Sequence, residues 1–377
     1  MWAPARIVGL TRSTTTFQTR ALRCFSSKLP ESFSAWRVSE QSDGSYAGAE
    51  TTINMNELLV NNKREGVEMV TIRVTHSSLN YKDALSAAGN KGVTRKYPHT
   101  PGIDAAGYIV SDKEQDTSKG PKHVLVTGYD LGMNTDGGFG EYISVPKDWV
   151  VDLPTGCNWS ESPRLPMIYG TAGLTAGLLV HRLLQRGDAV SGQTVAVTGA
   201  TGAVGSVAVE LLARLGFHVV AVTGKLETKS MDLLTELGAS EIVGREVLEA
   251  TTKPLLKPRF HHAIDTVGGS PLVSLLKQLQ PDGSVACCGL AAGPQLPDAT
   301  VLPFILRGVQ LLGVDSVEIP KARKTTIWHK LAHEWACPVT EKNARDIGRH
   351  QLNESLKAIL KGQSTGKIVL DHSLTEK

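Results

Sequence analysis

Met69-Val70-Thr71-Ile72-Arg73-Val74-Thr75 alternates apolar and polar side chains at period two, the pattern of a strand with one buried face. From about Trp36 to Val150 the apolar positions come in short bursts broken by turn residues. Asp104 to Val110, Lys122 to Thr127 and Glu141 to Val145 read as further short strands, the last reached through the glycine turn Asp136-Gly137-Gly138-Phe139-Gly140. This part of the chain is predicted to be mostly β, with few helices.

The pattern changes near Ile168. Gly170 to Leu184 is rich in Ala, Gly and Leu and predicts a helix. It is followed by strand Thr194–Thr198, helix Gly205–Leu215, strand His218–Val222, helix Lys229–Leu237 and strand Glu241–Val243. Beyond these come a strand at His262–Val267, a helix from Pro271, and strands at Ser284–Cys288 and Leu311–Val314. Apolar, β-branched strands alternating with helices predict a parallel sheet covered on both faces, the doubly wound Rossmann arrangement. A helix-compatible stretch then leads to a last short strand in Gly366-Lys367-Ile368-Val369-Leu370.

Val195-Ala196-Val197-Thr198-Gly199-Ala200-Thr201-Gly202-Ala203-Val204-Gly205 runs from a buried strand through small residues into a helix. A pyrophosphate site needs this. Glycines let the backbone turn sharply and approach the phosphates, and the helix N-terminus offers free N–H groups and the positive end of its dipole. An ordinary tight turn has similar composition; the strand–loop–helix context favours a dinucleotide. After the next strand stand Thr223, Gly224 and Lys225, where an NAD site expects an acid for the ribose hydroxyls. A hydroxyl and an ammonium suit a 2′-phosphate, and Arg245 after the third strand can reach the same group. Solvated loop charge is the alternative for Lys225 and Arg245. The expected cofactor is NADPH.

Charge changes the picture at one end. The first 30 residues carry Arg6, Arg12, Arg20, Arg23 and Lys28 and no acid, among many Ser and Thr, which is the composition of an organelle transit peptide. Arg23-Cys24-Phe25-Ser26-Ser27 resembles a mitochondrial processing site. A mitochondrial matrix location is expected, with a chloroplast or an untargeted tail as alternatives. Without residues 1–25, 40 basic residues become 36 against 37 acidic ones, so charge gives no case for nucleic acid. No stretch has the ~20 consecutive apolar residues of a membrane span. The five cysteines form no Cys-x-x-Cys pair, and Cys287 and Cys288 read as core residues.

Pro101-Gly102-Ile103-Asp104-Ala105-Ala106-Gly107, the Gly199–Gly205 loop and Gly366-Lys367-Ile368-Val369-Leu370 resemble the medium-chain dehydrogenase/reductase superfamily over nearly all of residues 36–377. The resemblance implies an α/β chain in two parts: a GroES-like, mostly-β catalytic domain over 35–165 and a Rossmann domain over 166–315, with 316–377 returning to the catalytic domain. Zinc members carry Cys where this chain has Asn80 and His where it has Ile103, so it resembles the zinc-free branch. Ser77-Ser78-Leu79-Asn80-Tyr81-Lys82-Asp83-Ala84-Leu85, Cys288-Gly289-Leu290-Ala291, Pro303-Phe304-Ile305-Leu306-Arg307 and Gly313-Val314-Asp315-Ser316-Val317 are similar to the bacterial acrylyl-CoA reductase subfamily.

That similarity implies site residues. Tyr81 would lie by the nicotinamide; Thr201, Gly202, Ala203 and Val204 would cradle the pyrophosphate; Thr223, Gly224, Lys225 and Arg245 would hold the 2′-phosphate; Leu290, Ile305 and Ser316 would line the nicotinamide pocket. The implied reaction is hydride addition to an enoyl thioester, with Tyr81 either donating to the developing enolate or only stacking on the nicotinamide. A quinone or enone reductase uses the same site, and a non-catalytic cofactor-binding relative is the third reading. Asn80 and Asp83 are expected to be a turn amide and a helix-cap carboxylate, and Asp104 to orient its neighbours. Lys91, Arg95 and Lys96 form a basic loop that would meet coenzyme A phosphates or stay solvated. His262, His329 and His333 have no metal-ligand spacing. A homodimer formed across a sheet edge is implied by the family habit.

Overall fold

The computed structural model describes residues 29–111, 121–160 and 162–375. The presequence, but for Leu29 and Pro30, lies outside them. The described chain opens with an antiparallel hairpin, β1 (Ser32–Glu40) and β2 (Tyr46–Asn54), in register from Ser32 opposite Asn54 to Glu40 opposite Tyr46. Helix α1 (Met55–Asn61) follows, its first turn capped by the Asn54 side chain, which accepts the Asn56 N–H at 2.8 Å.

Strand β3 (Met69–Ser78) is the centre of the first sheet. It leads into the short helix α2 (Tyr81–Ala87), then β4 (Asp104–Ser111), β5 (His123–Thr127), β6 (Tyr142–Pro146) and β7 (Val151–Asp152). The alternation read at Met69–Thr75 is realised: Val70, Ile72 and Val74 are buried together with Ala105, Ile109, Val124 and Val126. The order of this sheet is β14-β15-β3-β4-β5-β7, with β6 also paired to β3. Its last two members, β14 (Arg345–Ile347) and β15 (Ile368–Asp371), come from the end of the chain, and β15 pairs antiparallel to β3 with Val369 opposite Ser78.

Between the sheets runs α3 (Arg164–Leu184). The sequence reading started this helix at Gly170; the structure adds a turn before it and places a kink there, with Gly170 at φ 54° and ψ −160°. A Cβ at this residue would stand 2.5 Å from the Asp104 Oδ2 and from the Ser78 Oγ, so only glycine fits. By length and composition α3 could cross a bilayer, but most of it is packed inside the protein against β3, β4, β12, α4 and α8.

The second sheet is parallel, in the order β10-β9-β8-β11-β12-β13. Its elements are β8 (Thr194–Thr198), α4 (Ala203–Arg214), β9 (His218–Val222), α5 (Thr228–Glu236), β10 (Glu241–Val243), β11 (Phe260–Asp265), α6 (Gly269–Gln278), β12 (Leu279–Cys287), α7 (Leu302–Arg307) and β13 (Gln310–Gly313). Period two divides its strands between two cores. Val195, Val197, Val219 and Ala221 face one, while Ala196, Val220 and Val222 face the other. Continuous apolar strands are therefore buried on both faces, as a doubly wound sheet requires. Helices α8 (Lys321–Ala332), α9 (Pro338–Lys342) and α10 (Leu352–Leu360) carry the chain back to the first sheet.

His372, just after β15, uses both ring nitrogens: Nε2 donates to the Gly138 carbonyl at 2.9 Å and Nδ1 accepts from Arg349 Nη1 at 3.0 Å. Only a neutral ring can do both, and burial holds its pKa down to about 3. Because the folded value lies below the unfolded one, the stability it confers is complete above about pH 6.5 and is lost on acidification, by about 1.4 kcal/mol at pH 5.5. Unfolding free energies from denaturant titrations at pH 7.5 and 5.5 are expected to differ less in His372→Gln than in the native chain by about that amount.

Candidate active site

Two crevices meet at the C-terminal ends of the parallel strands, where open α/β sheets bind ligands. At the first, β8 ends at Thr198 and the backbone turns through Gly199 at φ 59° into α4, with Gly202 as its cap. The first N–H groups of α4 have no acceptor within the helix, and its dipole is positive there. A Cβ on Gly205 would lie 2.3 Å from the Gly199 carbonyl oxygen, so helix and turn touch backbone to backbone. Thr201, Gly202, Ala203 and Val204 thus sit together in a cradle that suits a diphosphate.

The floor of that crevice is set by a residue the sequence reading left unassigned. Asp265, at the end of β11, accepts the Thr198 hydroxyl at 2.8 Å and the Gly268 N–H at 2.8 Å, while Thr266 Oγ1 donates to the Thr198 carbonyl at 2.8 Å. Burial raises the Asp265 pKa against these bonds. Its signal was present, as an acid closing an apolar strand just before Gly268 and Gly269.

At the second crevice, beyond β9, the Thr223 hydroxyl lies 3.2 Å from the Thr201 hydroxyl and accepts the Lys225 N–H at 3.1 Å. The Arg245 guanidinium lies against Gly224, whose Cβ would stand 2.2 Å from Nε. Lys225 turns its ammonium to the Ser364 carbonyl at 2.6 Å and the Thr365 hydroxyl at 3.4 Å, and burial lowers its pKa. Thr223, Gly224, Lys225 and Arg245 are therefore brought together, with Ser364 and Thr365 joining them from the far end of the chain.

Beneath Tyr81 lies a buried polar network. The Asp83 carboxylate accepts four N–H bonds: from Asn80 N (2.8 Å), Asn80 Nδ2 (3.3 Å), Gly102 N (3.2 Å) and Ile103 N (2.8 Å). Asp104 accepts Asn80 Nδ2 at 2.8 Å and caps the second limb of α3 through Thr171 N (2.7 Å) and Thr171 Oγ1 (2.5 Å). The expected roles of Asn80, Asp83 and Asp104 are found. Lys367, which the sequence reading did not single out, is buried beside them, its Nζ 3.3 Å from Ser78 Oγ. Burial and the neighbouring Asp104 push Asp83 up to about 7, and burial brings Lys367 down to about 8, against the pull of both carboxylates.

This is where zinc relatives hold their metal. Here the Asn80 amide is spent on Ser78, Asp83 and Asp104, and Ile103 offers only carbon. Among the described residues no group of three or more His, Cys, Asp and Glu side chains is placed to hold a metal. The residues do not fit that ion.

Tyr81 opens α2 and is 52% exposed. Ser316, past the end of β13, is buried and accepts from Thr175 Oγ1 at 2.8 Å. Leu290 (64% exposed) and Ile305 (68% exposed) stand at the surface. Ile305 is on α7, whose Arg307 donates to the Lys277 carbonyl at the end of α6 and to the Leu279 carbonyl at the start of β12, so within one chain it lies toward the opposite end of the sheet from Ser316. Lys91 is engaged by Glu40 at 3.3 Å and lies over the rings of Tyr46 and Tyr97. His329 and His333 stack at 4.3 Å, and burial raises the Cys288 pKa to about 12, that of an inert thiol.

A parallel sheet with a dinucleotide cradle, joined to a β unit that carries a buried polar floor, defines an oxidoreductase architecture. Residues 203–332 match the family described as zinc-binding dehydrogenase, and residues 66–155 match the alcohol dehydrogenase GroES-like domain. The chain is 43% identical over 303 residues to the acrylyl-CoA reductase AcuI of Ruegeria pomeroyi, a match covering 80% of this chain and 89% of that one. It is equally similar, at 43% over 303 residues and the same coverage, to the putative quinone oxidoreductase YhfP of Bacillus subtilis, whose NAD-bound structure superimposes with a TM-score of 0.81. The yhdH oxidoreductase of Salmonella enterica, solved with NADP, superimposes with a TM-score of 0.81 at 38% identity over 90% of this chain and 99% of that one. The chain belongs to the medium-chain dehydrogenase/reductase superfamily, with the acrylyl-CoA reductases and YhfP-type quinone oxidoreductases among its relatives.

The backbone contact at Gly205 has a measurable consequence. Gly205→Ala is expected to push α4 off the Gly199 turn, at a cost of about 1–3 kcal/mol. It should lower the thermal midpoint and weaken dinucleotide binding in a fluorescence titration more than Ala203→Ser does.

Proposed function

We propose that the protein reduces the α,β double bond of a short enoyl thioester such as acrylyl-CoA, using NADPH and no zinc. What supports the cofactor is the pairing of the Gly199–Gly205 cradle with Thr223, Lys225 and Arg245. These offer a hydroxyl and two cations where an NAD site has an acid. The nearby Glu227 is occupied by the Ser230 hydroxyl. A relative solved with NADP favours the same choice; the NAD complex of YhfP marks the alternative.

NADPH, when bound, supplies a hydride for the β-carbon. The chain's part is to hold the acceptor beside it, to stabilise the charge that develops on the thioester oxygen, and to exclude water. Tyr81 is the donor proposed for that oxygen: its phenol hydroxyl stands on the rim of the buried Asn80–Asp83–Asp104–Lys367 floor and can give a hydrogen bond there. The exposed Arg95 and Lys96 would meet the phosphates of coenzyme A. The second reading is a quinone or enone reductase acting in the same pocket, favoured by the likeness to YhfP.

A homodimer completes the proposal. Strand β13 closes the parallel sheet with one edge unpaired among the described residues, beside exposed Val301, Phe304, Ile305 and Leu306. Two-fold pairing of that edge would run the strands of the two copies antiparallel and bring α7 of one toward the strand ends of the other, which is where the family resemblance puts Ile305. The Arg- and Ser/Thr-rich start of the chain supports a mitochondrial matrix address.

Two outcomes test the reading on the protein without residues 1–30. NADPH oxidation is expected to be faster with acrylyl-CoA than with a small quinone, and faster than NADH oxidation; the reverse substrate order would favour the second reading. Tyr81→Phe is expected to lower kcat about 10²-fold while leaving the NADPH KM nearly unchanged, and full turnover in the variant would remove Tyr81 as donor.

A further inference from the structure

Lys324 lies on α8, outside every motif the family likeness supplies, and is fully buried. Its Nζ donates to the Thr127 carbonyl at 2.7 Å and the Val317 carbonyl at 2.9 Å, and sits 3.3 Å from the centre of the Tyr129 ring. Carbonyls and a ring hold the ammonium; Asp104, Glu318 and Asp315 act on it only through space. Burial lowers its pKa to about 8.

Its partners come from two parts of the chain that meet at one place. Thr127 ends β5 of the first sheet, and Val317 follows Ser316 as the chain leaves the parallel sheet. The turn after Thr127 carries one strained residue: Gly128 takes φ 72°, which glycine accepts freely, but Tyr129, a bulky residue, has φ 53°. A Cβ on Gly128 would stand 3.1 Å from Lys324 Nζ, 3.1 Å from Val317 Cα and 3.2 Å from the Ser316 carbonyl oxygen. The Tyr129 N–H donates to the same Val317 carbonyl at 3.2 Å, and its ring stacks on Trp149 at 5.1 Å with the planes 12° apart. The Val317 peptide is thus fixed by two donors, and Ser316 beside it is fixed by Thr175 on α3.

We infer that Lys324 is a positioning residue for the nicotinamide half of the cofactor. It pins the Ser316–Val317 crossover, where the family resemblance puts a wall of the nicotinamide pocket, to the Thr127–Tyr129 turn, so that this segment is rigid before the ligand arrives. The inference rests on the NADPH reading above. Without the ammonium, the Thr127 carbonyl loses its side-chain donor, the Val317 carbonyl keeps only the Tyr129 N–H, and the turn loses the cation over its ring. The wall at Ser316 is then free to move, while the adenosine end, formed by Thr223, Lys225 and Arg245, is untouched.

The two ends can be measured separately. In the native chain NADPH and 2′,5′-ADP both bind; if neither does, the cofactor reading fails and the inference falls with it. In Lys324→Met the NADPH Kd is expected to rise about tenfold, with the Kd for 2′,5′-ADP within about twofold of native. Lys324→Arg, which keeps a cation and several donors, is expected to recover most of the loss. Should Lys324→Met not fold, Tyr129→Leu keeps both carbonyl bonds but removes the ring, and is expected to weaken NADPH about threefold with 2′,5′-ADP again unchanged. Unaltered NADPH binding in the variant, or equal weakening of both ligands, overturns the inference.

Discussion

The structure turns on the buried carboxylate of Asp104. It accepts the Asn80 amide from the start of α2 and the backbone and hydroxyl of Thr171 at the kink of α3, with Lys367 close by at the head of β15. A buried charge is costly unless donors or an opposite charge surround it; here the donors come from two separate stretches of chain, Asn80 and Thr171, and the nearby positive charge from a third, Lys367. Asp104 therefore makes the positions of α2, α3 and the terminal strand depend on one another. Gly170 is the steric counterpart: the helix bends there because Asp104 and Ser78 fill the space a side chain would need.

The same network occupies the place where the described residues offer no cluster of three or more metal-ligand side chains. A zinc relative would set a cation among thiolate and imidazole at this spot. Here the positive charge is Lys367, and Asn80 satisfies carboxylates rather than an ion. Asp83 and Asp104 need one another's surroundings: four N–H donors support the first, and Thr171 and Asn80 support the second. The floor under Tyr81 is thus polar but closed, and any donor to a reacting oxygen has to come from above it.

What could be read in advance follows from the range of the interactions involved. The parallel strands were legible because both of their faces are buried, which writes continuous Val and Ala runs at 195–197 and 219–222. The cofactor turn was legible because its constraint is local: Gly199 and Gly205 lie within one strand–helix junction. Strand β2, Tyr46–Asn54, was not. It is largely exposed and polar, and only its pairing with β1 makes it a strand. Asp104 could be suspected of orienting its neighbours, but its closeness to Lys367 spans most of the chain and has no local signature. Lys324 reads as one more charge in Lys321-Ala322-Arg323-Lys324, a run that looks solvated until tertiary packing buries one member of it.

The open side of β13 has a consequence for the life of the chain. A strand edge left unpaired among the described residues and flanked by apolar side chains is a template for extended segments that offer their backbone, and most such segments in a crowded compartment are the wrong ones. Newly made copies would be at greatest hazard in the interval between closing the parallel sheet and finding a cover for it. Abundance and yield would then be governed by how briefly that rim stays naked, rather than by how firmly each copy is folded.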